Sequence, residues 1–600
     1  MVGPDESFLG VSRSLTGRRW RARGGDLSAL SALSARHGLP DAVARALLGR
    51  GVGLEAADVF LQPTLRATFP NPSSFLGMDD AASALIDALV EDRRVWVFAD
   101  YDVDGATSAA QLIRWFRAMG KDLPVYVPDR VREGYGPSEA AFRTLKSQGC
   151  ELVVTVDCGA AAHTALSAAH DMGLEVVVID HHLMRDEAPP ARALVNPNHP
   201  ECGSGQGNLA AAGVTFVLLA ALNREARARG LFAGREEPDI RRWLDLAALG
   251  GVCDVTRLEG FNRALVRLGL QRMASWENPG LRALMAAAGA SLDKPADTRC
   301  VGFVLGPRIN AAGRIGRSDL GVRLLTTDDE AEARDLAEQL HQLNAERREV
   351  EAGVMEEAVR QIEAASNFDP QGPVMIAAAE DWHPGVVGVV AGRLRERFRR
   401  PAIVIGIDPV SGVGKGSGRS QPGVNLGRAV QAAFDEGLLL AGGGHAMAAG
   451  LTVRREVLPD LRAFLDERLA EESRAAAEAD ALEIDALCAP AAVDRGLWQA
   501  FQALAPFGPG NEEPLLALSG VRATDSRLLN GGHVACRLAS EDGRAVRAIA
   551  WRSGDTPLGQ ALLEGAVMHV AGRLQPDDWN GRQGVQIEIE DACDPRRMTG

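Results

Sequence analysis

The chain has 600 residues, 46% hydrophobic and 24% charged, with a formal net charge of -15. That length implies three or four domains, and the apolar fraction excludes wholesale disorder. The acidity excludes a histone-like or polybasic nucleic-acid coat, but a nucleic-acid enzyme stays open because averages hide local patches.

The eight Cys show no CxxC spacing and read as free thiols of a reducing compartment rather than as a zinc ribbon or thioredoxin-like site. No run of about 18 uncharged apolar residues occurs, so no membrane span is expected. Asp5 and Glu6 argue against a signal peptide, and a soluble cytoplasmic protein is expected. Lysine occurs only at Lys121, Lys146, Lys294 and Lys415, so the basic residues are nearly all Arg, a planar bidentate phosphate ligand.

In chain order, residues 1–75 mix a basic stretch (Arg18, Arg19, Arg21, Arg23) with a helical segment near 27–50, broken by Pro63, Pro70 and Pro72. This extension is expected to pack on the domain that follows it. From Arg93 the pattern alternates. VWVFA (95–99), the segment 125–127, LVVTV (152–156) and EVVVI (175–179) read as strands, and 106–119, 138–148 and 160–172 as helices. Continuous apolar strands alternating with helices predict a parallel sheet covered on both faces, with ligands beyond the carboxyl ends of its strands. A long charged connector helix is expected over 328–365, with Leu336, Leu340, Leu343, Val350 and Val354 as one thin apolar stripe. A glycine-rich second α/β unit follows over about 374–470. Last come HVACRLAS, AVRAIAWR, VMHVAGRL and VQIEIED, short strands suited to a small barrel of the OB type.

The strongest signal is the placement of acids. Asp100, Asp102 and Asp104 (DYDVDG) follow the first strand, Asp157 (VDCG) the third, and Asp180, His181 and His182 (IDHH) the fourth. All three clusters fall on one edge of one sheet, and Asp254, after an apolar helix, is a fourth candidate. Clustered carboxylates repel unless a cation neutralises them, and mixed carboxylate and imidazole ligands suit Mn²⁺ or Mg²⁺. Five or six ligands can hold two ions, enough to activate a water and stabilise the leaving oxygen in phosphoryl hydrolysis.

Taken singly, these motifs have plainer readings. DYDVDG opens like an EF-hand loop, but its twelfth position is Gln111 and a strand precedes it. Asp157 alone would be a helix N-cap. GVGKGS fails as a phosphate loop, with Pro409 at the first glycine position and Gly416 at the Ser/Thr position.

Together, ADYDVDGATS, VDCG, IDHH and LGGVCDV resemble the four motifs of the DHH phosphoesterase superfamily. GPRINAAGRIG (306–316), WHPGVVGVVAGRL (382–394), GSGRS (416–420), GGGHAMAAG (442–450), PFGPGNEEP (506–514) and WNGRQGVQIEIED (579–591) resemble its bacterial RecJ branch. The resemblance runs from about residue 70 to 595. It implies an α/β architecture: the N-terminal extension (1–75), a parallel-sheet DHH catalytic domain (76–326), the connector helix (327–366), a DHH-associated α/β domain (367–478) and an OB-like nucleic-acid-binding β-barrel (479–596). The implied activity is 5′→3′ exonucleolytic degradation of single-stranded DNA to 5′-mononucleotides in repair and recombination, with two Mn²⁺ or Mg²⁺ ions. Implied partners are a single-strand-binding protein and a RecQ-type helicase, and the implied state is a monomer.

By the same resemblance Asp102, Asp104, Asp157, His181 and Asp254 would be metal ligands. His182 would face the scissile phosphate, and Asp180 would orient the histidines. Asp100 would be a ligand or would act from behind the ligands. Other superfamily members carry a metal-binding His where this chain has Phe98, and Asp100 is placed to compensate. Arg130, Arg308, Asn310, Arg314, Ser417, Arg419 and His445 would hold a 5′-phosphate or the strand backbone, each single Arg being equally compatible with a surface salt bridge. Trp382, Trp579 and Phe507 are open as base-stacking or core residues. Two other functions fit the motifs less well. One is a DHH phosphoesterase of short oligoribonucleotides, cyclic dinucleotides or pyrophosphate, which needs no OB-like domain. The other is a non-enzymatic single-strand-binding replication scaffold, which has no reason to keep clustered carboxylates.

The charge is uneven. Residues 328–365 hold 12 acids and 4 Arg, and 456–494 hold 11 acids and 3 Arg, whereas 391–420 carry seven Lys or Arg against Glu396 and Asp408. Both acidic segments are therefore expected to lie away from the DNA path.

Overall fold

A strand such as Leu152–Val156 offers no polar face to solvent, so only a sheet covered on both sides can hold it. In the computed structural model, which describes residues 7–130, 132–184, 187–365, 369–578 and 584–597, that strand is buried throughout. It sits at the centre of a five-stranded all-parallel sheet, in the order Val125–Tyr126, Val95–Ala99, Leu152–Val156, Glu175–Ile179, Ala193–Val195. The chain leaves Val95–Ala99 toward one side and returns to Leu152–Val156 on the other. The topological switch point, where such sheets place ligands, therefore lies between these two strands. Phe98, Phe142, Val153, Leu166 and Val178 pack in one buried cluster of this layer.

Two compact units divide the chain. The sheet belongs to the unit made of Pro70–Thr256 and Gly269–Ala479. In that unit the connector is one helix, Glu330–Glu363, started by Asp329, whose carboxylate caps the amides of Ala331 and Glu332. Its inner face differs from the expected apolar stripe. Val350 is exposed, while Asn344, Arg347 and Glu351 are buried among Leu336, Leu340, Val354, Ala358 and Ile362. The second α/β domain has a mixed sheet in the order Ala441–His445, Ala448–Arg454, Val413–Arg419, Ala402–Ile407, Met375–Glu380, in which only the last two strands pair in parallel. The acidic helix Leu458–Ala479 packs on the helix Leu426–Asp435.

The other unit gathers Met1–Phe69, Arg257–Leu268 and Asp480–Gly600. Leu515–Leu529, His533–Ala539, Ala545–Ala550, Gly584–Cys593 and Val567–Asp577 pair in turn and close on Leu515–Leu529, a five-stranded barrel without free edges. Most of the N-terminal extension, Met1–Phe69, belongs to this barrel's unit, while Ser73 accepts from Arg224 of the domain that follows it in sequence. Arg19–Ala22 pairs in parallel with Ala481–Ile484, and Trp20 is fully buried with its Nε1 donating to Asp591 Oδ2 at 3.0 Å. The expected helix at 27–50 is two helices, Leu30–His37 and Asp41–Gly49, separated at Gly38 and Pro40. No helix among the described residues is long and apolar enough to cross a membrane.

Trp20→Ala should remove the indole and its hydrogen bond to Asp591, at a cost of about 3–5 kcal/mol to the barrel unit. Calorimetry should show one thermal transition moved down. An unchanged profile would contradict the packing described.

Candidate metal centre

Three acidic motifs occupy the carboxyl ends of strands, at Asp100–Asp104, Asp157 and Asp180–His182, and the fourth, Asp254, ends a helix. Asp102 caps the helix Val103–Ala118, its Oδ1 accepting from Gly105 N at 3.0 Å. That helix starts so close to the strand that a Cβ at Gly105 would lie 2.4 Å from the Asp100 carbonyl oxygen. Asp104, the second residue of that helix, is buried, and its two oxygens accept from the amides of Ala211 and Ala212 at 2.7 and 2.8 Å, at the start of the helix Ala211–Ala228. A helix N-terminus is a natural seat for this carboxylate. Gly250 lets the helix Leu244–Cys253 come close, since a Cβ there would meet Asp104 Oδ1 at 2.7 Å, and Asp254 caps that helix's end. Asp157 takes φ 61°, the left-handed region that Asp tolerates better than most residues.

These turns bring the predicted set together. Three overlapping groups have ligand atoms within 4.8 Å of one another: Asp100, Asp102 and Asp157; Asp104, His181 and Asp254; and Asp157, His181 and His182. His181 Nε2 lies 3.3 Å from Asp157 Oδ1, 3.7 Å from Asp254 Oδ2 and 3.8 Å from Asp104 Oδ2. Asp100 Oδ1, Asp157 Oδ1 and His181 Nε2 are buried without a hydrogen-bond partner. Orphaned acceptors of this kind, facing one another, fit divalent cations. Asp100 is thus in the cluster itself. Phe98 is a core residue stacked on Tyr126 and offers no ligand.

Burial, reinforced by the charge of Asp254, pushes the Asp104 carboxyl up to about 7. Burial and Asp102 do the same to Asp254, also to about 7. Asp100 and Asp157 are raised well above the usual carboxylate range by burial and by their neighbouring acids. Asp180 behaves oppositely. Burial acts upward, but the His182 hydrogen bond and charge and the Ala160 amide hold it at about 2. His182 Nδ1 lies 2.7 Å from Asp180 Oδ1, and although burial acts downward, this partner holds the imidazole up at about 9. Asn196 and Asn198 donate to the carbonyls of His182 and His181 at 2.8 and 2.6 Å, fixing the backbone of the pair.

Beside the acids stand arginines. Arg130 lies over the Tyr101 ring at 4.9 Å, and Arg314 donates to Gly385 O at 3.0 Å. Arg419 Nη1 donates to Ser417 Oγ at 3.0 Å. Burial, with the charges of Arg130, Arg347 and Arg419, lowers Arg314 to about 10, and the helix Pro384–Phe398, which receives Arg314 at Gly385, also passes Ser417 and Arg419, since a Cβ at Gly388 would lie 3.0 and 3.2 Å from their side chains. The strand Val413–Arg419 explains how. Gly414, Gly416 and Gly418 alternate inward, where a Cβ would strike Ile405, Leu451 or Leu426, which leaves Ser417 and Arg419 on the opposite face. Arg308 donates to Val304 O and approaches His341, Asn310 Oδ1 accepts from Val103 N at 3.1 Å, and His445 is exposed at a strand end. Trp382 is buried with Nε1 donating to Glu357, and Phe507 is half-buried against the barrel core, so both are packing residues. Trp579 lies outside the described residues.

Tyr135 escaped the sequence reading. Its hydroxyl donates to Asp157 O at 3.0 Å and lies 3.2 Å from His182 Nδ1. The available signal was rarity, since two of the three Tyr in the chain, Tyr101 and Tyr135, lie at this centre.

Family models match the chain in three places: the DHH family N-terminal domain over residues 94–250, the DHHA1 domain over 371–471 and the RecJ OB domain over 484–591. The single-stranded-DNA-specific exonuclease RecJ of Bacillus subtilis (strain 168) is 35% identical over 582 residues, spanning 96% of this chain and 71% of that protein. The chain belongs to the RecJ family. A crystal structure of RecJ in complex with Mn²⁺ from Thermus thermophilus superimposes with a TM-score of 0.77 at 31% identity, covering 94% of this chain and 78% of that one. The Mg²⁺ complex from the same organism gives 0.70 at 30% identity, covering 94% and 77%. The expected RecJ-family architecture, a parallel-sheet DHH domain, a DHH-associated domain and a closed OB barrel, is what the structure contains.

The raised acids set a pH dependence. Asp104 and Asp254 keep protons up to about pH 7 that they release near 3.8 when unfolded, so without metal the fold loses stability as pH rises through that window. A divalent cation replaces those protons, so its stabilisation grows over the same range. The melting-temperature gain from Mn²⁺ should be larger at pH 8 than at pH 6. An equal gain would contradict the assignment.

Proposed function

We infer that the chain is a divalent-metal-dependent exonuclease that degrades single-stranded DNA from a 5′ end to mononucleotides. The observation that carries this reading is the pairing of a buried carboxylate–histidine cluster, with mutually facing orphaned atoms, and an arginine pocket beside it. The first suits cations and the second a phosphate. Asp102, Asp104, Asp157, His181 and Asp254 would hold the metal, with Asp100 joining Asp102 and Asp157 as a further ligand rather than as a separate catalytic group. Bound Mn²⁺ or Mg²⁺ supplies Lewis acidity and charge neutralisation next to a phosphodiester.

The protein's own groups do the rest. Asp180 accepts from His182 and fixes its ring, and the resulting imidazolium can donate to phosphate oxygens as negative charge develops. Tyr135 limits how far that ring can swing. Arg130, Arg314, Arg419 and Ser417 would hold the 5′-terminal phosphate, setting the end from which the strand is cut. The OB barrel would grip single strands, a use to which such barrels are suited. The proposed setting is DNA repair and recombination in the cytoplasm, with a monomer working beside a single-strand-binding protein and a RecQ-type helicase. Free thiols at all eight Cys are compatible with that compartment.

Asp104→Asn, which keeps a partner for the helix start at Ala211, should lower cleavage by about 1,000-fold or more while binding of single-stranded DNA persists. The assay offers 5′-phosphorylated single-stranded DNA, duplex DNA, RNA and pyrophosphate with Mg²⁺ or Mn²⁺. Undiminished cleavage by the variant would remove the metal assignment. A preference for short RNA or pyrophosphate would overturn the substrate.

A further inference from the structure

The run GVGKGS is no phosphate loop, yet it carries a cation that the site described so far leaves unused. Lys415, on the strand Val413–Arg419, is exposed, and among the described residues no hydrogen bond or ion pair engages its ammonium. An exposed lysine is ordinarily a solvated surface group. The strand gives this one a different setting. Side chains alternate along a strand, and Gly414, Gly416 and Gly418 take the inner face, where a Cβ would lie 2.7 Å from Ile405, 2.9 Å from Leu451 and 2.6 Å from Leu426. Lys415, Ser417 and Arg419 therefore share the other face, each about 6.6 Å along the strand from the next.

That face lies against the helix Pro384–Phe398. A Cβ at Gly392 would be 4.0 Å from Arg419 Cγ, and one at Gly388 would be 3.0 Å from Ser417 Oγ and 3.2 Å from Arg419 Nη2. The Arg419 side chain thus runs back toward Ser417, to which its Nη1 donates at 3.0 Å. The helix connects Met375–Glu380 to Ala402–Ile407, two parallel strands, and Val413–Arg419 is antiparallel to the second. Helix and Val413–Arg419 consequently run in the same direction. About one turn before Gly388, the carbonyl of Gly385 receives Arg314. Passing from Arg419 through Ser417 to Lys415 therefore leads toward Arg314. The helix that carries Arg314 lies against the DYDVDG motif in turn, since a Cβ at Gly313 would be 2.6 Å from the Tyr101 carbonyl oxygen. Lys415 stands on the Arg314 side of the Ser417–Arg419 pair, with no acid to neutralise it.

We propose that Lys415 is a further phosphate ligand of the bound strand, a point charge at the edge of the pocket formed by Ser417 and Arg419. This rests on the preceding reading that the pocket takes a phosphate of single-stranded DNA. The ligand is the terminal phosphate held by that pair or the adjoining phosphodiester. An ammonium on a flexible four-carbon stem serves either, because it imposes no fork geometry on its anion.

The experiment measures KM and kcat of the Mn²⁺-loaded protein over a series of KCl concentrations, on single-stranded oligonucleotides carrying a 5′-phosphate or a 5′-hydroxyl. Each phosphate contact by a cationic side chain contributes about 0.7 to the slope of log affinity against log salt for single strands. Lys415→Met is expected to raise KM about five-fold at low salt and to flatten the dependence of log KM on log salt by about 0.7, with kcat moving less than about two-fold. Lys415→Gln should do the same, and Lys415→Arg should keep the wild-type slope. Lys146→Met is the control. Lys146 lies before the amino end of Leu152–Val156, at the edge of the sheet opposite the acids, and its removal should change neither KM nor slope. An effect confined to the 5′-phosphorylated strand supports the proposal with the terminal phosphate as ligand, and an equal effect on both strands supports it with the adjoining phosphodiester. Unchanged KM and slope on both strands, a fall in kcat alone, or the same flattening in Lys146→Met overturns it. Wild-type protein that leaves single-stranded DNA uncut would remove the functional reading itself, whereas wild-type cleavage with unaltered Lys415 variants would remove this inference alone.

Discussion

Repulsion among buried carboxylates at one edge of one sheet is the constraint on which the catalytic unit depends. Asp100, Asp104 and Asp157 are buried and Asp254 stands beside them, and no arrangement of apolar residues could make that charge density stable. The fold opposes it locally wherever it can. Two amides at a helix start hold Asp104, Gly105 donates to Asp102, and His182 and backbone amides satisfy Asp180. Asp100 and Asp157 each keep an unsatisfied oxygen. Site and scaffold are thus one problem, because the same carboxylates that seat helices also await a cation.

The glycines follow from that crowding. Gly105 and Gly250 are places where two backbones must approach an acid more closely than any side chain permits. In the second α/β domain glycines serve a different end. The run VGKGSGR failed as a phosphate loop because it is a strand, with one face emptied so that it can lie on the core while Ser417 and Arg419 present the other. The arginines beside the acids come from separate elements rather than from one Gly-rich loop.

Much of this was legible in the primary structure because the relevant periods are short. Apolar runs of five bounded by Asp mark buried parallel strands and their ligand-bearing ends, and the acids and histidines of the centre needed no long-range knowledge to be grouped. Less legible is whatever depends on partners distant in sequence. Arg308 and Asn310 share a motif with Arg314, yet one approaches His341 and the other accepts from Val103 N, because successive residues of a helix face different neighbours. Val350 looked apolar enough for the connector's inner face. The face was instead taken by Arg347 and Glu351, whose burial makes sense only once Arg393 and Asn344 surround them.

By itself, then, the amino-acid order determined the strand pattern, the family and the acids of the centre, since each is written in local spacing. The tertiary structure decided which arginines converge, that Tyr135 touches His182, and that the N-terminal extension packs against the C-terminal barrel's unit through Trp20 and Asp591, 571 residues apart. Contacts of that separation depend on how whole layers stack, and no local period encodes that stacking.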